Sequence, residues 1–519
     1  MMGGPPFPGV LYQVYPRSFR DADGDGVGDL AGIRAGIPHL AWLGVDALWS
    51  SPLYRSPMAD FGYDVADHCD VDPVFGTLAD VDALVAEAEA QGLQVWLDFV
   101  PNHTSDRHPW FEAARSSRED PHRDWYVWRD PAPDGGPPNN WKRHFAAEPA
   151  WTYDERTGQY YLHHFLPEQP DVNWDTPALR EAQLDVLRFW MRRGVRGFRA
   201  DVVHLIGQDR TYPDDPPGSW DLPGRGDFHH HPSTREHLRA IRRTLDEHGA
   251  VIVGESYLEQ PEVLLELVGD DAQHLSFVFH LLLAPWDATE WARRIREVDA
   301  VFTPAGVWPS WALGNHDQPR LATRLGSEAR ARVAAAVQLT LRGVPCIYQG
   351  EELGLEDAEV PADRVVDPGG RDGCRAPVPW TREWTATSRA GWPATAWLPM
   401  PPDATTRSVE AQQQDPASTA NLYRRLLALR RARPALVRGA QRVLAAEDGL
   451  PEGVLGIERT LGDDVLVTLA GMSGTSARLG PTWADGWHVV VDTTGPGDRE
   501  GRAFDGLLAA DGAVVLERA

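Results

Sequence analysis

The stretch TPALREAQLDVLRFWMRRGVRGFRADVV (Thr176–Val203) decides the fold. Its first part is a helix marked at both ends. Thr176 opens it with Pro177 in the first turn, and Gly194 stops it. Its last part, GFRADVV (197–203), is a short apolar run of the kind that forms a strand buried on both faces. A helix that leads straight into such a strand is one step of an alternating α/β chain.

The same alternation extends in both directions. Strands are predicted at VLYQVYP (10–16), ALWSSP (47–52), VWLDFV (95–100), VIVGES (251–256), LSFVFH (275–280), SWALGNHD (310–317) and VPCIYQGEE (344–352). Helix-period segments lie between several of them: 30–44 with Pro38 as an irregularity, 78–92, 233–249 and 327–343. Eight strands alternating with helices imply a parallel sheet, and eight is the number that closes a barrel. The expected fold is α/β, a (β/α)8 TIM barrel over residues 1–102 and 172–436. The Trp-, Tyr-, His- and Pro-rich stretch 103–171 after the third strand reads as an inserted domain. Residues 353–420 are loop-rich and a helix follows at 418–433. From 437 to 519, alternating hydrophobicity with turn signals predicts a small antiparallel β domain.

The bulk numbers exclude several classes. A net charge of −26 disfavours a nucleic-acid partner or an anionic membrane surface. Lys142 is the single lysine. MMGGPPFPGV has neither the charged nor the apolar region of a signal peptide, and no run of about 18 apolar residues occurs. Cys69, Cys346 and Cys374 are too scattered for a disulfide framework or a zinc site. A reduced, cytoplasmic setting is expected.

In such barrels the working residues lie at the C-terminal ends of the strands. Strand three ends in DFVPNH, offering Asp98, Asn102 and His103. Strand four offers Arg199 and Asp201, strand five Glu255, and strand seven His316 and Asp317. A lone acid at a strand end is most often a cap or an ion-pair partner. Several on one rim suit glycoside hydrolysis, in which one carboxylate attacks or activates water and a protonated one serves the leaving oxygen. Arg199 beside Asp201 is expected to hold it ionised. The apolar VIVG run before Glu255 is expected to raise that carboxyl, as an acid requires.

A second acidic feature stands apart. DADGDGVGDL (21–30) spaces Asp21, Asp23, Asp25, Gly26, Val27 and Asp29 like the oxygen ligands of a calcium loop. Gly32 stands where an EF-hand needs a bidentate Glu, and VLYQVYPRSF before it reads as a strand and its exit. From spacing alone it is either a cation site or a solvated acidic turn.

GFRADVV, VGES, NHDQPR and DFVPNHTS resemble the four signature segments of the α-amylase family of retaining glycoside hydrolases (family 13), and QPDVNW (169–174) resembles a fifth. FGYDVADH (61–68) and GRDGCRAPVPW (370–380) resemble segments of its oligo-1,6-glucosidase and α-glucosidase branch. The resemblance implies Asp201 as nucleophile, Glu255 as acid/base and Asp317 as transition-state stabiliser. It implies that His103, Arg199 and His316 line the sugar site, that Tyr63 and Phe165 face the ring, and that Asp64 and Arg375 grip the terminal hydroxyl. It also implies a structural Ca2+ held by Asp21, Asp23, Asp25, Val27 and Asp29. The implied protein is an exo-acting α-glucosidase on short oligosaccharides, a monomer or homodimer; the alternatives are a transglucosylase or sugar isomerase of the same family, or a catalytically dead binding subunit, against which the presence of Asp201, Glu255 and Asp317 speaks. Departures occur near the sugar: G-C-R-A-P-V-P-W (373–380) replaces N-A-R-T-P-M-Q-W, and His204 replaces a common Asn. Val202 resembles the α-1,6-preferring members. The Pro/Gly-rich stretch 204–228 is expected to cover the pocket.

Overall fold

The computed structural model describes residues 5–144, 148–216, 231–258, 260–269, 274–278, 284–367, 369–484, 486–497 and 499–518. The later part of the 204–228 stretch therefore lies outside the described residues. Eight strands form a closed barrel: β1 (Leu11–Val14), β2 (Ala47–Ser50), β3 (Gln94–Phe99), β4 (Gly197–Ala200), β5 (Val251–Gly254), β6 (Leu275–Val278), β7 (Pro309–Ala312) and β8 (Val344–Tyr348). They neighbour one another in chain order, and β8 returns to pair with β1. The pairs are parallel, with Trp96 opposite Gly197, Arg199 opposite Val253 and Leu11 opposite Cys346. Every residue of β1, β2, β4, β7 and β8 is buried, which is why these segments read as unbroken apolar runs.

Helices α1 (Leu30–Leu43), α2 (Leu78–Ala90), α3 (Pro177–Arg192), α4 (Ser233–Asp246), α5 (Pro261–Val268), α6 (Ala288–Phe302) and α7 (Glu328–Thr340) lie in the intervals. α1 begins where the Asp29 carboxylate accepts from the Gly32 N–H at 2.6 Å. It runs through Pro38 and ends on Gly44 in the left-handed conformation, φ +96°. The structure differs from the sequence expectation at Pro16–Phe19, where a single helical turn replaces the strand exit. Proline suits a first helical position, since its missing N–H would have no partner there. One turn is too short to act as an EF-hand helix.

The packing divides the described chain into two compact units. One comprises residues 49–86 and 94–277, the other residues 1–48, 87–93 and 278–519. In the first, the insert after β3 carries a short helix, Pro109–Ala114, and a three-stranded antiparallel sheet of Trp128–Arg129, Gln159–Leu162 and Trp151–Asp154. A bridge between His103 and Asp171 joins its ends. Val127, Trp141, Trp151, Leu162 and Tyr212 are among its core residues. In the second unit, Ala440–Leu444, Val454–Leu461, Asp464–Gly471, Ala513–Arg518 and Trp487–Asp492 form an antiparallel sheet in that order. Among the described residues no helix is long and apolar enough to cross a membrane.

Gly197 opens β4 because nothing larger fits. A Cβ there would lie 2.3 Å from the Trp96 ring, whose own side chain is fully buried. Gly197→Ala is expected to destabilise the protein by about 1–3 kcal/mol through overpacking. Urea unfolding measures it, and an unchanged midpoint would show that the Trp96 ring can move aside.

Candidate active site

The first unit carries a buried carboxylate cluster around one arginine. The β3–β4–β5 register sets Asp98 opposite Arg199 and Arg199 opposite Val253. The ladder continues one step beyond the strands: the Asp201 N–H donates to the Phe99 carbonyl, and the Glu255 N–H to the Ala200 carbonyl, both at 2.8 Å. Side chains two residues apart share a face of a strand. Asp201 therefore stands one layer above Arg199, beside Glu255.

All four side chains are buried. Arg199 Nη1 lies 3.0 Å from Asp98 Oδ1 and 2.5 Å from Asp201 Oδ1, and Nη2 lies 2.5 Å from Glu255 Oε2. Asp201 and Glu255 are thus held by the two terminal nitrogens of one guanidinium. Tyr63 donates its hydroxyl to Asp98 Oδ2 at 3.0 Å, and the Val202 N–H lies 3.3 Å from Glu255 Oε2. Val202 itself is left-handed, φ +35°, a conformation that strains a β-branched residue.

Three carboxyls thus face one guanidinium, and this corrects the expectation that Arg199 keeps Asp201 ionised. Burial raises the Asp201 carboxyl well above its ordinary range and outweighs the opposing pull of Arg199. Burial likewise pushes Asp98 up to about 7 against Arg199. One arginine cannot neutralise three acids in a dry site, so the cluster retains a proton.

The other predicted residues of this unit adjoin the cluster or its loops. His103 is buried between Asn102, whose Nδ2 lies 3.2 Å from Nδ1, and Gln169, whose Nε2 lies 3.1 Å from Nε2. Burial lowers its pKa to about 4, so it stays neutral at ordinary pH. Phe165 packs 5.2 Å from the His103 ring and clusters with Val202 and Leu205. The fully buried Asp64 accepts from Ser56 Oγ and from the Ala59 and Asp60 N–H groups, all at 2.9 Å. Burial raises its carboxyl to about 6. In this structure Asp64 closes its own loop.

The second unit holds a smaller network. Asp317 Oδ1 accepts from Arg375 Nη2 at 2.9 Å and from Arg371 Nη1 at 3.0 Å. Arg371 also grips Asp367 through Nε and Nη2. Arg375 Nε donates to the His316 carbonyl at 2.8 Å. The His316 ring lies against Tyr15, and its Nδ1 meets Gln13 Nε2 at 2.8 Å. The sequence reading gave no role to Asp98, although it named it at a strand end, and missed Gln13, Tyr15 and Arg371. Arg371 stood one helical turn before Arg375 in the segment GRDGCRAPVPW, which was the available signal.

In the acidic loop, carboxylate oxygens of Asp21, Asp23 and Asp29 lie within 4.8 Å of one another. The Asp25 carboxylate accepts the Val27 N–H at 2.7 Å. The three clustered acids form a hard oxygen donor set of the type calcium selects.

A closed parallel barrel with two carboxyls held by one arginine at the ends of adjacent strands, β4 and β5, is the arrangement of a barrel glycoside hydrolase. The profile described as the α-amylase catalytic domain matches residues 13–439. A probable α-glucosidase of Rhizobium meliloti (strain 1021) is 42% identical over 506 residues, covering 90% of this chain and 89% of that protein. The oligo-1,6-glucosidase of Parageobacillus thermoglucosidasius is 35% identical over 513 residues, covering 89% and 90%. The crystal structure of an α-glucosyl transfer enzyme superposes with a TM-score of 0.87 at 36% identity, covering 99% of both chains. The chain belongs to the α-amylase family.

Proposed function

We propose that this protein is a retaining, exo-acting α-glucosidase on short α-glucosides. The observation that supports the stereochemistry is that Asp201 Oδ1 and Glu255 Oε2 each lie 2.5 Å from a terminal nitrogen of the same guanidinium, Arg199, which keeps the two carboxyls close. Inverting enzymes keep their two carboxyls about 6.5–9.5 Å apart to seat a water between them, whereas retaining pairs stand closer. Asp201 attacks the anomeric carbon while Glu255 gives its proton to the leaving oxygen, forming a β-glucosyl ester. Glu255 then takes a proton from water, whose oxygen displaces Asp201 and releases α-glucose. Arg199 orients both acids, and Asp317 with His316 serves the sugar hydroxyls. Asp64 and Arg375 hold the non-reducing end, and Tyr63 and Phe165 face the ring. The names of the relatives support the substrate class.

A panel of maltose, isomaltose, nigerose, kojibiose, sucrose, trehalose and an aryl α-glucoside tests this reading. Glucose released first as the α-anomer is expected, and β-glucose would contradict retention. The second reading, transfer of the glucosyl unit to another sugar, is favoured by the likeness to the α-glucosyl transfer enzyme. Abundant new disaccharide at high sugar concentration would select it over hydrolysis.

Asp21, Asp23 and Asp29, together with the Val27 carbonyl and Asp25, are the proposed ligands of a structural Ca2+. The ion supplies charge compensation to the loop that leads into α1 and takes no part in the reaction. Chelation is expected to lower the melting temperature. An ion at 100 times its dissociation constant contributes about 2.7 kcal/mol. Activity at low temperature should change little. Loss of turnover with unchanged melting would place a metal elsewhere.

A further inference from the structure

Away from the Arg199 cluster, the insert and residues Asn173, Arg210 and Tyr212 enclose a cavity of about 320 Å³. Its wall includes Arg118, Arg123, Arg129, Arg210, Trp128 and Tyr212, against one carboxylate, the exposed Asp124. In a chain of net charge −26, four guanidinium groups around one cavity are a local concentration of positive charge.

Among the described residues, two of those arginines make no ion pair, although Asp154, Asp124 and Glu119 act on Arg123 from a distance. Arg123 donates to the Ala114 carbonyl, to Thr157 Oγ1 and to Gln159 Oε1. Arg129 donates to the carbonyls of Trp128 and Arg210. Arg210 is paired with Asp175 at 2.6 Å, and Arg118 lies 3.4 Å from Asp130. Arg123 and Trp128 are only 6% and 7% exposed, yet among the described residues Arg123 Nε and Trp128 Nε1 have no hydrogen-bond partner. A buried donor without an acceptor is costly, and a ligand that supplies oxygen lone pairs beside these two lining residues would relieve it.

The aromatic faces narrow the chemistry. The Arg123 guanidinium lies 3.5 Å over the Trp128 ring, and that of Arg129 lies 4.0 Å over Tyr212. Neither ring offers that face to a stacking sugar. What remains is a set of N–H donors on planar, permanently charged forks, which match phosphate oxygens. The volume reaches the range of small-molecule sites, about 300–1,000 Å³, leaving room for more than the anion alone.

We propose that this cavity binds a phosphate group, either free or carried by a sugar, at a site distinct from the carboxylate cluster. The proposal stands independently of the glucosidase reading. Calorimetric titration of the full chain with inorganic phosphate, glucose 6-phosphate and glucose tests it. Binding of a phosphate compound but not of glucose is expected. Equal affinity for the two phosphate compounds identifies the free ion as sufficient, and binding of glucose 6-phosphate alone identifies a phosphosugar. Arg129→Gln should weaken binding by about ten-fold or more, the loss of a charge-assisted bidentate contact. Added salt should weaken it further, with basal hydrolysis unchanged. Arg118→Gln, at an exposed position, should also weaken it and decides the matter if Arg129→Gln does not fold. No binding of either phosphate compound, or affinity unchanged in the folded variants, would overturn the proposal.

Discussion

Asp201→Asn is expected to lower kcat by about 10^4-fold or more, the scale seen when a covalent nucleophile is removed. Asparagine keeps the shape and one oxygen, so Arg199 retains a partner and the melting temperature should hold. The loss is chemical, because a carboxamide cannot form the glucosyl ester. Truncation to Asp201→Ala opens space, and added azide should then attack an aryl α-glucoside directly to give the β-glucosyl azide. Burial raises Asp201, and the reaction needs it ionised. The acid limb of kcat/KM in the wild type should therefore lie above the ordinary carboxylate value of about 4, with activity rising as pH rises through it. An Asp201→Asn enzyme with wild-type turnover would remove Asp201 from the mechanism.

Glu255→Gln is expected to slow hydrolysis of maltose-like substrates by about 10^2–10^4-fold, the range for a lost general acid. Aryl α-glucosides with good leaving groups need little protonation, so ester formation on them should suffer less. Deglucosylation then becomes limiting, because no base activates the water. Azide, which needs no base, should restore turnover of these substrates and yield the α-glucosyl azide by a second inversion. The two variants are thus distinguished by opposite product anomers. Identical anomers from both would refute the division of roles.

Much of this was legible in the sequence. The eight strands stand out because parallel strands covered on both faces must be apolar throughout, as VIVG and GFRA are. α5 and α6 were left as intervals. PEVLLELV is only eight residues, about two turns, too short for its amphipathic period to stand out. α6 does carry one, with Ala288, Trp291, Ala292, Ile295, Val298 and Phe302 buried. Asp201 and Glu255 could be found because strand ends locate the rim. That Arg199 serves Asp98, Asp201 and Glu255 together could not, since it depends on the β3–β4–β5 register. Register is a property of pairing, and no single strand encodes it. The same holds for Arg371 and Asp317, which are distant in the chain and meet only in the folded loops.

The pairing of Leu11 with Cys346 has a consequence for how the chain is made. A ribosome adds about 5–20 residues each second. β1 therefore leaves the ribosome on the order of tens of seconds before β8 exists. Throughout that interval an apolar strand waits with an open edge, the kind that seeks other chains. Strain on this protein in a crowded cell should fall first on its opening residues, and a chaperone that shields them during synthesis should raise the yield of closed barrels.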